Sequence, residues 1–406
     1  MSEWSSCEVS ASLVKTKVGR RHQIPAKSIA TVGRFPVVDQ GHEFISGYCD
    51  DQERVIDFDL PLIIFGDHTR CFKFVDFPFV LGADGTKVLS PNKKLFDPKF
   101  YFYVLFSLEL PSRGYNRHFK ILKEKRIPLP PLPEQKKIAR ILSTVQRAIE
   151  EQERIIQTTT ELKKALMQKL FTAGLSRDGG KPQRQKQTEI GSVPESWDLA
   201  PIGDLFETQL GKMLSQKAKV GDSPKPYLRN KNVQWGRIDT DDLLAMDFSD
   251  REAEKFLLRD GDLLVCEGGE VGRAAIWRGQ IAECYYQKAL HRLRPRSDRI
   301  TNEYMAHWMM YAFLLTNTYG VTGTRTTIAH LPEIKLKPLL VPVPSVDEQA
   351  DIINALETVD QKNASHKRKM DQLQDLFRTV LHELMTAKTR VNELDFSNNL
   401  KGGQNV

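Results

Sequence analysis

Along most of the chain apolar residues gather in short clusters, but in two places they recur in alternating steps of four and three over many turns. From Ile138 the rungs are Leu142, Val145, Ile149, Gln152, Ile156, Thr159, Lys163, Leu166 and Leu170. From Ile352 they are Leu356, Val359, Asn363, His366, Met370, Leu373, Phe377, Val380 and Leu384. Such steps keep one stripe of a helix against a partner helix, so heptads sustained this long predict two coiled-coil helices. Both stripes turn polar near the middle, at Gln152 and at Asn363 with His366. Polar rungs of this kind set register and partner, and His366 reads as one of them.

The two stretches repeat each other. Ile127–Gln135 reads IPLPPLPEQ and Val341–Gln349 reads VPVPSVDEQ, at an offset of 214 residues (134 to 348). Without a gap, the same offset carries Leu142 onto Leu356, Val145 onto Val359, Leu166 onto Val380 and Leu170 onto Leu384. Pro133 and Asp347 suit the first turn of a helix, Glu134 and Glu348 suit its positive end, and Gly174 suits a C-terminal cap. Each helix is expected to run about 38 residues, or roughly 57 Å at 1.5 Å per residue.

Before each helix lies a globular stretch, 1–127 and 190–340, with a tryptophan near its start (Trp4, Trp197) and short β-rich runs such as Leu62–Phe65 and Asp262–Val265. The pattern is that of mixed α/β domains. The order is therefore domain (1–127), helix (128–173), basic polar linker (174–189), domain (190–340) and helix (341–390). Residues 391–406 are expected to be a disordered tail. The linker sets the direction of pairing: about fifteen residues reach at most about 50 Å, short of a return along a parallel partner. The expected fold class is α+β, with two α/β domains separated by an antiparallel pair of long helices and an internal pseudo-two-fold repeat.

Composition then narrows the partners. The formal charge is +7 and 40% of residues are hydrophobic, which fits folded domains with a polyanionic partner such as nucleic acid. The five cysteines (Cys7, Cys49, Cys71, Cys266, Cys284) never form CxxC, so neither a disulfide framework nor a zinc site is expected. A signal peptide and an apolar run of spanning length are both lacking, and a cytoplasmic protein is expected.

No catalytic constellation emerges. The sequence has no GxxxxGK[ST] phosphate loop, no [DN]PP[YF] segment and no HExxH, and Gly268-Gly269-Glu270-Val271-Gly272 lacks the GxGxxG spacing. No metal or cofactor is expected on this chain. Clusters suited to nucleic acid are present in both domains. The first holds Arg70 and Lys73 in GDHTRCFKF, Lys87, and Arg113, Asn116, Arg117 and His118 around GYNRHFK. The second holds Arg229, Asn230, Asn232 and Gln234 in RNKNVQW, then Arg273, Gln287, Lys288 and His291, and finally Arg325, Thr326 and Thr327. Arg and Lys neutralise phosphates or read guanine, and Asn and Gln pair with adenine. The residues alone leave three readings open: a DNA reader, an enzyme acting on DNA, and a structural coiled-coil protein.

The longer strings carry a family likeness. IIFGDHTRCFKF, DFPFVLGADGTKVLSP and GYNRHFKILKEKRIPLPPLPEQ in the first half, and PYLRNKNVQWGRID, GDLLVCEGGEVGRAAIW, YQKALHRLRP and TGTRTTIAHL in the second, resemble type I restriction–modification specificity subunits. The segment before Phe35 departs from that pattern. The resemblance implies a non-catalytic subunit whose two target-recognition domains read double-stranded DNA. It also implies two modification (methyltransferase) subunits, which bring S-adenosylmethionine, and restriction/translocase subunits, which bring ATP and Mg.

Overall fold

A computed structural model describes residues 4–111, 117–175, 183–215, 218, 223–316, 318–319 and 330–391. The chain divides into two compact units: residues 1–154 with 367–406, and residues 155–366. Each long helix, Leu132–Ala173 and Val346–Met385, contributes one part to each unit. Gly174, at φ +65°, closes the first helix and donates its amide to Leu170 O at 3.1 Å, a conformation that costs glycine little.

In the first unit the described residues build three sheets. The strand Leu62–Gly66 is wholly buried between Phe72–Val75 and Thr86–Leu89, as its unbroken LIIFG predicts for the middle of a sheet. Val80–Gly82 lies between Gln23–Ile24 and Phe35–Val38, with Gly47–Cys49 at the far edge. The N-terminal strand Ser5–Glu8 pairs antiparallel with Arg126–Leu129, Ser5 facing Leu129 and Cys7 facing Ile127. The core gathers Ile63, Phe65 and Leu89 with the apolar helix Pro98–Phe106. Ile138 and Leu142 join it from the start of the first long helix, and Leu381 and Leu384 from the end of the second. The two helices are therefore antiparallel here. Val391, assigned above to a tail, is also buried in this core; residues 392–406 lie outside the described residues.

The second unit repeats the plan with a larger domain. A four-stranded sheet orders Phe206–Leu210, Leu290–Pro295, Leu263–Cys266 and Ala274–Ile276. Its core joins Met167, Leu170 and Phe171, at the end of the first long helix, to Ile352 and Leu356, near the start of the second. Pairing is again antiparallel. The linker is shorter than its composition suggests. Gln185–Thr188 is a strand paired with Gly191–Pro194, and Val193 from that hairpin is buried in the core. Val193, with Ile190 packed against the same core, anchors an otherwise polar hairpin, and overall composition does not register so few apolar residues.

The Glu-Gln pair that opens each long helix joins helix to domain. Gln135 accepts from the Asp97 amide at 2.8 Å and donates to Leu95 O and Pro130 O, both at 2.8 Å. Gln349 accepts from the Thr301 amide at 3.0 Å and donates to Arg299 O at 2.7 Å and Pro344 O at 3.0 Å. Asp97 and Thr301 are the N-caps of the domain helices Pro98–Phe106 and Asn302–Met309, so one amide side chain ties two helix starts together. Beside it, Glu134 accepts from Trp4 Nε1 at 3.1 Å and from Arg390 at 2.7 and 2.9 Å. Glu348 accepts from Trp197 Nε1 at 3.1 Å, the Leu175 amide at 3.0 Å and Gln183 at 2.9 Å. Both tryptophans singled out near the domain starts thus meet the carboxylate of the repeat. Replacing Gln135 or Gln349 by Leu strands buried backbone groups, and each variant should lose about 3 kcal/mol of stability. Denaturant unfolding measures it; an unmoved midpoint would show that water replaces the lock.

Candidate nucleic-acid interface

In the first unit the candidate residues collect around Asp67, at the end of the buried strand Leu62–Gly66. Asp67 is itself buried. Its carbonyl accepts from the His118 amide at 3.0 Å and lies 2.9 Å from His118 Nδ1, while its carboxylate accepts from the Phe119 amide at 2.7 Å. Lys87 Nζ stands 3.8 Å from the same carboxylate. The backbone at 66–70, the turn at Gly85 and residues 117–119 are thereby brought together. Gly85 has φ +72°, and a Cβ there would come within 2.8 Å of Gln40 and His68.

Not every predicted side chain reaches the surface. Arg117 is exposed and Lys87 partly so. Arg70, in the left-handed region at φ +64°, donates to Leu110 O at 2.9 Å. Lys73 is buried instead: it donates to Glu43 O and pairs with Asp39 at 3.5 Å. Burial pushes its ammonium pKa down against the pull of Asp39. His118 is buried as well. These two are corrections to the surface patch, because alternation along a strand and a turn buries one neighbour while exposing the next. Arg113 and Asn116 lie outside the described residues.

The second unit has a matching arrangement. The Leu331 amide donates to Glu267 O at 2.7 Å, as the His118 amide does to Asp67 O. Each bond fastens the segment leading to a long helix onto the residue after an apolar strand. Around Glu267 the candidates converge. Asn230 donates to Gly268 O at 2.8 Å; Arg273 donates to Asn230 O at 2.6 Å and to Gln234 Oε1 at 3.4 Å, and pairs with Glu270 at 3.3 Å. The Nε of Arg273 and Oδ1 of Asn230 are buried and have no hydrogen-bond partner among the described residues. Arg229 is tied to Asp242 at 3.1 Å. Gln287 is part-buried, and the Lys288 side chain is exposed.

Asn232 and His291 are corrections too. Asn232 is buried and closes its own turn, accepting from the Arg229 amide at 2.9 Å and donating to Asp239 O and Asp242 O at 3.1 Å. His291 sits in the strand Leu290–Pro295 with Nε2 2.8 Å from Leu331 O. The glycine run 268–272 has a packing origin: at Gly272, φ +78°, a Cβ would stand 2.4 Å from the Phe313 ring. Arg325, Thr326 and Thr327 lie outside the described residues. Sequence reasoning missed the anchors Asp67 and Glu267. A signal was available, an acidic residue directly after each buried strand, IIFGD and LLVCE.

Among the described residues no group of three or more His, Cys, Asp or Glu side chains could hold a metal ion, and no helix is long and apolar enough to cross a membrane. The arrangement offers polar loops carrying Arg, Lys, Asn and Gln on rigid strands, which is chemistry for binding.

Comparison with known proteins follows the same lines. The model of the type I restriction modification DNA specificity domain matches residues 17–159 and 194–375, one copy in each half. The chain is similar to the MjaVIII type I restriction enzyme specificity subunit of Methanocaldococcus jannaschii, 25% identical over 76% of this chain and 74% of that one. It is also similar to the EcoR124I/EcoR124II specificity subunit of Escherichia coli, 21% identical over 86% and 85%. Among solved structures, the type I restriction-modification S subunit of M. genitalium shares the fold, with a TM-score of 0.57, 17% identity and coverage of 94% of this chain and 96% of that one.

Burial also gives the second unit a pH dependence. Desolvation holds the His291 imidazole below its usual pKa of 6.5 and pushes His307 down to about 4, the latter helped by the charge of Lys163. The unfolded chain therefore takes up protons first, and the stability these histidines contribute is lost as pH falls below about 6.5. Unfolding midpoints at pH 7.5 and 5 should differ, and His307→Gln should flatten the difference; an equal slope in the variant would contradict this.

Proposed function

Because this chain belongs to the type I restriction–modification DNA specificity family, the non-catalytic recognition component of such systems, we propose that its two domains read the two halves of a bipartite, asymmetric DNA site. The observation that carries this reading is the repeated anchor, Asp67–His118 in one domain and Glu267–Leu331 in the other. Each ties the segment before a long helix to the end of an apolar strand, while the side chains carried nearby differ. Unlike loops on like scaffolds read unlike sequences.

Within this reading, Arg117, Lys87 and Lys288 neutralise phosphates. Asn230, Gln234 and Arg273 are the base-reading set of the second domain, with Arg70, Arg229 and Gln287 as supports and Arg113, Asn116, Arg325, Thr326 and Thr327 as further contacts on adjacent segments. Lys73, His118, Asn232 and His291 act behind the surface. Glu270 keeps the Arg273 guanidinium aimed beside Gln234 until guanine competes for it.

The helix pair serves as a ruler and as the docking surface for two methyltransferase subunits. These supply S-adenosylmethionine chemistry, restriction/translocase subunits supply ATP-driven cleavage with Mg, and the cytoplasm is where the complex meets its DNA. Half-site centres read from one side of the duplex should lie about 34–36 Å apart.

Two measurements test the proposal. Deleting one heptad from each long helix should shorten the unread gap, as read by sequencing methylated sites from the reconstituted complex; an unchanged gap would refute the ruler. In titrations of that complex with cognate DNA, Lys288→Ala should weaken all duplexes alike and reduce the salt slope by about 1. Arg273→Ala should instead relax one half-site at a cost of about 1–3 kcal/mol. Equal behaviour of the two variants would remove the distinction between phosphate and base contacts.

A further inference from the structure

The Gln135 and Gln349 locks allow the two units to be compared residue by residue. The domain helices correspond at an offset of 204 (97 to 301) and the long helices at 214 (134 to 348). These registers carry Tyr103 onto His307, Phe106 onto Met310, Gln146 onto Asp360 and Phe377 onto Lys163. The contacts follow the registers. The Phe106 and Phe377 ring centroids are 6.2 Å apart, and Lys163 Nζ stands 4.0 Å from Met310 Sδ. One place in the fold thus occurs twice, with opposite chemistry.

In the first unit this place is an apolar groove of about 180 Å³ lined by Phe102, Phe106, Gln146, Ile149 and Phe377. Phe106 is 51% exposed. In the second unit it is a charged cavity of about 540 Å³. Ala306 and Met310 leave the space that Phe102 and Phe106 fill in the first. Lys163 pairs with Asp360 at 2.6 Å and Arg278 with Glu303 at 2.9 Å. Glu357 also lines the cavity and has no ion-pair partner among the described residues. With two pairs neutralised, the cavity keeps one carboxylate in excess. Next to each place along the long helices stands an exposed leucine, Leu376 at 48% and Leu162 at 55%, again at an offset of 214 (162 to 376).

An exposed leucine repeated at one register fits a partner that is present in two copies and meets the same feature twice. We propose that the groove and the cavity are the seats of the two methyltransferase copies, and that their chemistry makes the copies unequal: apolar burial holds the copy on the first unit, and charged contacts hold the copy on the second. The inference rests on the docking reading given above. The occupant presents a Lys or Arg side chain. Its cation complements Glu357 in the cavity, and its methylene stem packs on Phe106 and Phe377 in the groove while the charged head stays in water. Charged contacts near a surface are screened by salt and apolar ones are not, so rising ionic strength separates the two seats.

Native mass spectrometry of the full-length chain assembled with the methyltransferase subunit of the same system, at increasing ionic strength, tests this. One copy should leave at a several-fold lower ionic strength than the other, passing through a one-to-one species. Lys163→Phe combined with Asp360→Gln and Glu357→Gln, which installs the aromatic and amide of the first unit and removes the excess carboxylate, should bring the two losses together. Glu357→Gln alone, which removes the charge and keeps the shape of the side chain, should bring the first loss to lower ionic strength. Simultaneous loss of both copies from the wild-type complex, or variants that leave the order unchanged, would overturn the inequality. Failure of the methyltransferase subunit to bind at any ionic strength would instead overturn the docking reading itself.

Discussion

The buried Glu-Gln pair at the start of each long helix is the constraint on which the rest of the structure depends. A helix start leaves amides without intrahelical partners, and here a domain helix and a long helix bring their starts to one place. Gln135 and Gln349 each satisfy one domain amide and two carbonyls. Glu134 and Glu348 add the indole of the tryptophan that opens the domain. Domain and helix therefore cannot slide past each other without leaving several buried groups unpaired, each at a cost of about 1–3 kcal/mol.

The Glu134 carboxyl shows how the charge is accommodated. Burial raises its pKa, but the hydrogen bonds from Arg390 and Trp4 outweigh that and hold it below the usual carboxylate range. Arg390 also lies 5.2 Å from the Trp4 ring centroid. In the second unit the same position is served by neutral donors, the Leu175 amide and Gln183. The two locks are one geometry solved with different partners, and the groove and cavity beside the domain helices vary in the same way. Duplication preserved the backbone plan and left the side chains around it to diverge.

The same division runs through the loops that carry the polar clusters. Their backbone is tied to a strand end through Asp67 or Glu267, so the loop position belongs to the scaffold. Arg117 and Lys288 are exposed on these segments, whereas the Arg273 side chain is only 13% exposed. Residues adjacent in sequence fall on opposite sides of this boundary: His118 is buried next to Arg117, and Asn232 is buried two residues from Asn230.

The sequence by itself determined the duplication, the two long helices, their antiparallel sense and the two α/β domains. Each of these is written in periodicity, in a gapless offset or in the reach of a short linker, all of which are properties of the chain. It also determined which loops hold the polar clusters. Only the tertiary structure decided which members of a cluster point outward, because that depends on strands and turns distant in sequence, as when Lys73 turns to Asp39 and His291 to the Leu331 carbonyl. The Trp–Glu contacts and the unlike surroundings of Phe377 and Lys163 were likewise invisible beforehand. They are formed by residues far apart in the chain, and no local pattern records a contact whose geometry exists only after the helices have paired.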